Sequence, residues 1–432
     1  MHTAFSRRHP GGHGACGAPS APRQPARAAR SQAERGAARL WLGLDRRLRM
    51  GEGRAAGVPW GAGLGTGGGG RLGGRGEVHM RTVEVVVMEP ISDDALAQIV
   101  RVDPGVRVVD TRAWFDDELR ATWPTWTVQR YLGQRPSPPP SRRDERDRLL
   151  ATAEVILSGW PIPLDLRARA PRLRWLQQQR AGASNLLRGD LWGSDVLVTT
   201  TRGSGNTRPM AEYVLACFLH FARGLHRAAG DRQQQHFDHR AYQPLSLAGK
   251  TVCVVGVGGI GRAVGELCAS VGMRVVGTRR QGSAGGPLPP GFARVGGPEE
   301  LHTLLHESAF VAVCCQWTPE TTHLLGQAAF AAMRLGTVVV NVARGEIIDE
   351  DALLAALAAG TLRGVGLDVY DGEFERAPDP RLWQDARVLI TPHVSGGTDV
   401  AQPRAVELFC QNLRAYVDGR PLVNVIDWQR GY

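Results

Sequence analysis

From Met80 onward the chain alternates short apolar runs with stretches of helical period. Val83 to Met88 is a continuous, mostly β-branched run, the pattern of a strand covered on both faces. Val155 to Leu157, Trp175 to Gln178 and Val196 to Thr201 predict further short strands, and a Pro-rich loop lies between Leu132 and Arg142. Thr207 to Leu225 repeats with helical spacing, with Pro209 near its first turn, where a missing N–H costs nothing. A second set of strands follows: Thr251 to Val255, Arg274 to Gly277, Phe310 to Cys314, Thr337 to Val342, Gly364 to Val369 and Val388 to Thr391. Ala401 to Val417 reads as a closing helix. Strands separated by helices predict an α/β fold with parallel sheets and right-handed crossovers. A length of 432 residues exceeds what one core organises, so two domains are expected.

The sharpest local signal is Gly256-Val257-Gly258-Gly259-Ile260-Gly261. It follows the strand TVCVV and opens a helix, the context in which a GxGxxG run binds a dinucleotide. Gly256 permits the tight turn, Gly258 lets backbone approach a pyrophosphate, and Gly261 lets helix and strand pack closely. Gly259 and Ile260 lie in the helix opening, whose N–H groups and dipole favour an anion. NAD calls for a carboxylate at the end of the next strand, but this chain has Thr278-Arg279-Arg280 there. Thr278 and Arg279 suit a 2′-phosphate through charge-assisted hydrogen bonds, so NADP is favoured over NAD.

Four polar sets follow apolar strands: QWTPETTHLLG from Gln316, NVARGEIIDEDAL from Asn341, GLDVYDGEF from Gly366 and LITPHVSGGT from Leu389. Ligands of open parallel sheets bind beyond the carboxyl ends of the strands, which brings Thr318, Arg344, Asp368, Glu373 and His393 toward one crevice. Each residue taken alone has a bland reading as a surface or turn residue. Together they form an apparatus: Arg344 grips a carboxylate and polarises a 2-oxo group, His393 exchanges the alcohol proton, and Glu373 orients that His.

Charge alters the picture only at the N-terminus. The net charge is +10, but residues 1–79 hold thirteen Arg against four acidic residues, leaving 39 basic and 38 acidic residues beyond them. The folded body is therefore close to neutral and lacks the basic stripe of a nucleic-acid domain. Residues 1–79 read as a disordered Arg/Gly-rich extension. Since Met80 opens a strand at once, a start there is favoured over a flexible arm or a targeting segment. Were the tail a nucleic-acid arm, binding would be salt-dependent and lost with it. No apolar run reaches the roughly 18 residues of a membrane helix. Seven scattered cysteines, without CxxC or Cys/His metal spacing, read as buried thiols in a reducing compartment, best the cytoplasm, and imply no metal.

With the glycine motif in the same order, the four segments resemble the D-isomer-specific 2-hydroxyacid dehydrogenase family, over roughly Met80 to Asp427 and most specifically from Lys250 to Thr398. The resemblance implies two doubly wound parallel-sheet domains. A Rossmann cofactor domain, 207–396, would be inserted into a flavodoxin-like substrate domain, 80–206 plus 397–432. It implies a hydride transfer between NAD(P)H and a small 2-oxo or 2-hydroxy acid such as glyoxylate or hydroxypyruvate, and a homodimer. By the same resemblance Arg344 is the substrate-binding Arg, His393 the catalytic His and Glu373 its partner. Asp368 lies near the nicotinamide, and Ala181-Gly182 form the loop that holds the substrate carboxylate. Phe374 departs from the Pro common after the Glu, which reshapes the pocket wall. Trp160 and Trp192 are candidate pocket residues. A binding alternative is the C-terminal-binding-protein co-repressors, which resemble the same family and act mainly as dinucleotide-sensing scaffolds.

Overall fold

A computed structural model describes residues 81–133, 142–281 and 287–431; the extension over 1–79 lies outside them, as does most of the Pro-rich loop. The chain builds two all-parallel sheets. The first contains β1 (Val83–Val87), β2 (Val106–Asp110), β3 (Val155–Ser158), β4 (Trp175–Gln178) and β5 (Leu197–Thr199), in the order β2-β1-β3-β4-β5. The second contains β6 (Thr251–Val255), β7 (Arg274–Thr278), β8 (Phe292–Gly296), β9 (Phe310–Val313), β10 (Thr337–Asn341), β11 (Leu362–Leu367) and β12 (Val388–Ile390), in the order β12-β11-β10-β9-β6-β7-β8. The first order is that of flavodoxin-like sheets, and the second is the Rossmann order with one more strand.

Both sheets are buried on two faces, which is why their central strands read as unbroken apolar runs. In the first, Val86, Ile156 and Leu176 face a cluster with Leu119, Trp123, Leu132 and Leu150. Val85, Leu157 and Trp175 face Ile99, Val406, Phe409 and Leu413 on the other side. The Ala401–Val417 helix thus returns to the first sheet, where Phe409 stacks on Trp175 at 5.1 Å between ring centroids. Truncating so buried an aromatic to Ala costs about 3–5 kcal/mol. In the second sheet, Val252, Val254 and Val340 face the Thr207–Ala222 and Gly259–Ser270 helices, through Val214, Phe218, Phe221 and Val264. Cys253, Val311 and Val339 face Leu304, Phe330 and Leu353.

Most predicted strands lie within a residue or two of their expected ends, while two strands went unpredicted. β2 and β8 are edge strands, and each carries an Arg (Arg107, Arg294) that breaks the apolar run. An edge strand has only one paired neighbour, so its sequence carries less of the β-rich signature. The long helix expected over 207–225 ends at Ala222. Gly224 takes the left-handed conformation (φ 73°), and a separate helix, Leu225–Gln233, follows. Glycine in that conformation is a common helix stop. Among the described residues, no helix is long and apolar enough to cross a membrane and no cluster of His, Cys, Asp or Glu is placed to hold a metal ion.

Candidate active site

The glycine turn leaves β6 and enters the Gly259–Ser270 helix. Gly256 has φ 99°, which an L side chain rarely adopts, and a Cβ there would lie 2.5 Å from the Cys315 backbone. A Cβ on Gly261 would lie 2.1 Å from the Gly256 carbonyl oxygen. These two glycines serve the fold. Gly258 and Gly259 differ: a Cβ on either meets nothing within 4 Å, so their backbone faces open space at the helix start. No side chain caps that helix, which leaves its first N–H groups available to an anion. The turn is anchored to the next strand, because the Thr278 carbonyl accepts from the Gly256 and Val257 amides at 3.0 and 2.9 Å. Thr278 itself is buried, Ile260 packs against the core of the second sheet, and the Arg279 amide donates to Gly296. The residues present therefore suit a dinucleotide's pyrophosphate.

Thr318 opens a short turn beyond β9 and bonds locally, its amide donating to Thr321 Oγ1 at 2.8 Å. Hydrogen bonding from Thr318 holds the Glu320 carboxyl below the usual range, and Arg280 adds to the effect.

The second cluster gathers residues from both sheets. Glu373, 2% exposed, sits in the loop after β11 and places Oε1 3.0 Å from His393 Nδ1. An ionised carboxylate only accepts, so Nδ1–H donates and Nε2 is left for a substrate. His393 is held in the left-handed region (φ 57°), a backbone cost tolerated where surrounding bonds over-determine it. Those bonds come from Asp368. Its carboxylate accepts from Thr391 Oγ1 (2.7 Å) and from the amides of Val394 (2.8 Å) and Ser395 (2.9 Å). Its carbonyl accepts from the His393 amide at 2.9 Å. Tyr213, whose hydroxyl burial pushes far up, meets Thr391 Oγ1 at 2.6 Å.

Arg344 reaches across to the first sheet's side, where its Nε donates to Ser184 Oγ at 3.0 Å. A Cβ on Gly182 would fall 1.7 Å from Arg344 Nη2, so the guanidinium lies directly on the Ala181-Gly182 loop. The amides of Ala181 and Gly182 take no hydrogen-bond partner among the described residues. Close packing of the Arg344 turn on the Tyr370-Asp371 backbone depends on Gly345, where a Cβ would lie 1.9 Å from Tyr370 C. Burial and the nearby carboxylates push Glu346 up to about 7, with Arg344 opposing. Burial likewise raises the Tyr131 hydroxyl, whose charged neighbours are Arg130, Glu373, Arg180 and Arg344.

Sequence reasoning missed the residues that join Glu373 to the first sheet's side. From the Thr125–Tyr131 helix, Arg130 Nη1 lies 3.3 Å from Glu373 Oε2, and Trp126 Nε1 donates to the Glu373 carbonyl at 2.9 Å. Nothing in the local pattern of that helix marks these roles. Of the two tryptophans expected in the pocket, Trp160 packs 4.7 Å from both Phe374 and Tyr131. Trp192 packs instead against Trp428, with centroids 5.2 Å apart.

A family profile described as the NAD binding domain of D-isomer specific 2-hydroxyacid dehydrogenases matches residues 215–395. A D-3-phosphoglycerate dehydrogenase of Mycobacterium bovis is 30% identical over 287 residues, which is 64% of this chain and 52% of that protein. A glyoxylate reductase of Korarchaeum cryptofilum is 30% identical over 301 residues, 67% of this chain and 87% of the reductase. Among solved structures, the D-isomer specific 2-hydroxyacid dehydrogenase from Xanthobacter autotrophicus Py2, in complex with NADPH and MES, is 26% identical with a TM-score of 0.62. That match covers 81% of this chain and 100% of the other. The chain spans about half the length of the D-3-phosphoglycerate dehydrogenase it matches. The chain belongs to the D-isomer specific 2-hydroxyacid dehydrogenase family.

Proposed function

We propose that this protein reduces a small 2-oxo acid, of the size of glyoxylate or hydroxypyruvate, to the 2-hydroxy acid, with NADPH preferred over NADH. The observation that carries the reading is the Glu373–His393 pair at 3.0 Å, set in the same site as an Arg344 that lies on the Ala181-Gly182 loop. Gly256, Gly258, Gly259, Ile260 and Gly261 would cradle the pyrophosphate, Thr278 and Arg279 the adenosine end, and Thr318 and Asp368 the remainder of the crevice. When bound, the nicotinamide supplies the hydride.

The chain's own residues do the rest. The free amides of Ala181 and Gly182 and the Arg344 guanidinium bind the substrate carboxylate, and Arg344 also polarises the 2-oxo group. With both ring nitrogens protonated, His393 delivers the Nε2 proton to the developing alkoxide and becomes neutral, while Glu373 keeps Nδ1–H and the ring oriented. In the reverse direction the same nitrogen takes the proton. The likeness to a glyoxylate reductase and to an NADPH-bound relative supports the choice of substrate size and cofactor.

Homodimerisation is part of the same proposal. The Leu225–Gln233 helix buries none of its residues, and Phe237 just beyond it is fully exposed, an arrangement suited to a second copy of the chain. The deciding experiment follows NADPH and NADH oxidation with a panel of 2-oxo acids, in parallel with Arg344→Lys. A fork that binds a carboxylate bidentately makes this substitution damaging despite the retained charge. Cofactor binding without turnover on any 2-oxo acid would overturn the enzyme reading.

A further inference from the structure

The carboxylate of Glu373 has two oxygens, and only one of them faces His393. Oε2 lies 3.3 Å from Arg130 Nη1, and the same nitrogen donates to the Glu373 carbonyl at 3.3 Å. Arg130 is carried by the Thr125–Tyr131 helix, which belongs to the first sheet's side, 243 residues away in the chain. That helix grips the 373–374 segment at further points. Trp126 Nε1 donates to the Glu373 carbonyl, and the Thr127 hydroxyl donates to the Phe374 carbonyl. The Phe374 ring is seated in the first sheet's apolar cluster, against Trp160 and 6.4 Å from the His393 ring. A buried carboxylate left with one unpaired oxygen carries a large desolvation cost, and an Arg beside it offsets that cost and fixes the carboxylate plane.

We propose that Arg130 is a positioning residue for the reaction, acting through Glu373 on His393, and that seating the 373–374 segment on the Thr125–Tyr131 helix sets the geometry of the proton-handling pair. The proposal rests on the reading of Glu373 and His393 as that pair. Arg130 orients the carboxylate so that Oε1 meets Nδ1, and it places a fixed positive charge beside two groups that share one proton. The other charged and titratable groups facing this centre are Tyr131, Arg180, Arg344, Glu346, Tyr370, Asp371 and Arg376. None of them contacts Glu373 Oε2 in a hydrogen bond or ion pair among the described residues.

The test compares wild type with Arg130→Met, Arg130→Gln and Arg130→Lys, using glyoxylate and NADPH across pH, with His393→Ala alongside. Losing the positive charge makes proton uptake by the pair easier, so reductive turnover holds to higher pH and oxidative turnover begins at higher pH. The expected result for Met is a fall in kcat of roughly tenfold or more from misplacement of the pair. The midpoint of its pH profile should move upward by about half a unit or more. The NADPH Kd should change by less than about twofold, because the bonds of Arg130 go to Glu373 and none joins it to the glycine turn among the described residues. Arg130→Lys should keep the wild-type midpoint. Arg130→Gln loses the charge but keeps a donor, so the shift is read on it even where Arg130→Met yields no folded protein. Unchanged kcat, or a lower kcat with an unmoved pH profile in both neutral variants, overturns the proposal. If His393→Ala keeps wild-type turnover, the underlying reading of the pair fails instead, and the two failures are told apart.

Discussion

The glycine turn and the His–Glu pair are built in opposite ways. The turn is contiguous, residues 256–261, and its bonds stay within one sheet, down to the Thr278 carbonyl that anchors it. The pair draws on the loops after β11 and β12, on the Asp368 knot and on a helix from the other sheet's side. The turn presents backbone to open space at the helix start, and its demands are steric: two positions where no Cβ fits and two where nothing stands in the way. The pair presents side chains, and its demands are orientation and charge. A contiguous backbone site withstands changes elsewhere in the protein, whereas an assembled side-chain site inherits every contact that holds its parts in register.

The largest effect that sharpens this contrast is expected at His393. His393→Ala should lower turnover about 10²–10⁴-fold, the usual worth of general acid catalysis, with NADPH affinity nearly unchanged. Single-turnover kinetics and cofactor titration check both halves, and a variant within a fewfold of wild type where chemistry limits the rate would remove His393 from the mechanism.

Next come the glycines, where the two kinds should separate. Gly261→Ala places a methyl against the Gly256 carbonyl oxygen and should cost about 1–3 kcal/mol of stability, as overpacking does. Gly258→Ala should leave stability within about 0.5 kcal/mol, the range of an unhindered surface change, and weaken cofactor binding instead. Denaturant midpoints and titration calorimetry read the two quantities. Equal destabilisation by both would mean that the turn is not divided in this way.

Cofactor choice should respond by a comparable amount. Thr278→Asp with Arg279→Ala should reverse the NADPH preference, since losing a charge-assisted contact changes affinity by about 10–150-fold. Equal use of both cofactors by the wild type would end that reading.

The smallest effect concerns Glu346, whose carboxyl is pushed up to about 7 by burial, from an ordinary value of 4.5. A folded-state value above the unfolded one means that the folded protein holds the proton more tightly. The contribution of this group to stability is therefore highest below about 4.5 and declines as pH rises toward 7, where ionising the half-buried carboxyl opposes folding. Glu346→Gln should flatten that decline, gaining on the order of 1–2 kcal/mol relative to wild type on going from pH 5 to 8, a figure discounted for solvent screening. Thermal unfolding at the two pH values checks it, and a parallel loss in both proteins would assign the decline to other groups.

Local pattern accounts for much of the molecule. The central strands were legible because both of their faces are buried, as with Val252 to Val255 and Val338 to Val340. Edge strands β2 and β8 were not, since Arg107 and Arg294 interrupt runs too short to stand out. The positions of Arg344, Glu373 and His393 at the ends of β10, β11 and β12 follow from alternation alone, because parallel strands deliver their following residues to one edge of the sheet. Asp368 read as a candidate ligand contact, and the structure also makes it the acceptor that holds His393 in its left-handed conformation.

What the sequence determined by itself is therefore whatever repeats or lies contiguous along it: the α/β class, the glycine turn, and the order of the polar segments. Tertiary structure decided which residues complete the site from a distance. Arg130 and Trp126 carry no mark in a helix of seven residues, and Phe374 read only as a departure from a familiar Pro. Their roles exist because packing of the two sheets' helices brings position 130 against position 373. A contact between residues so far apart is fixed by the summed burial of both cores, a quantity that no local window of sequence contains.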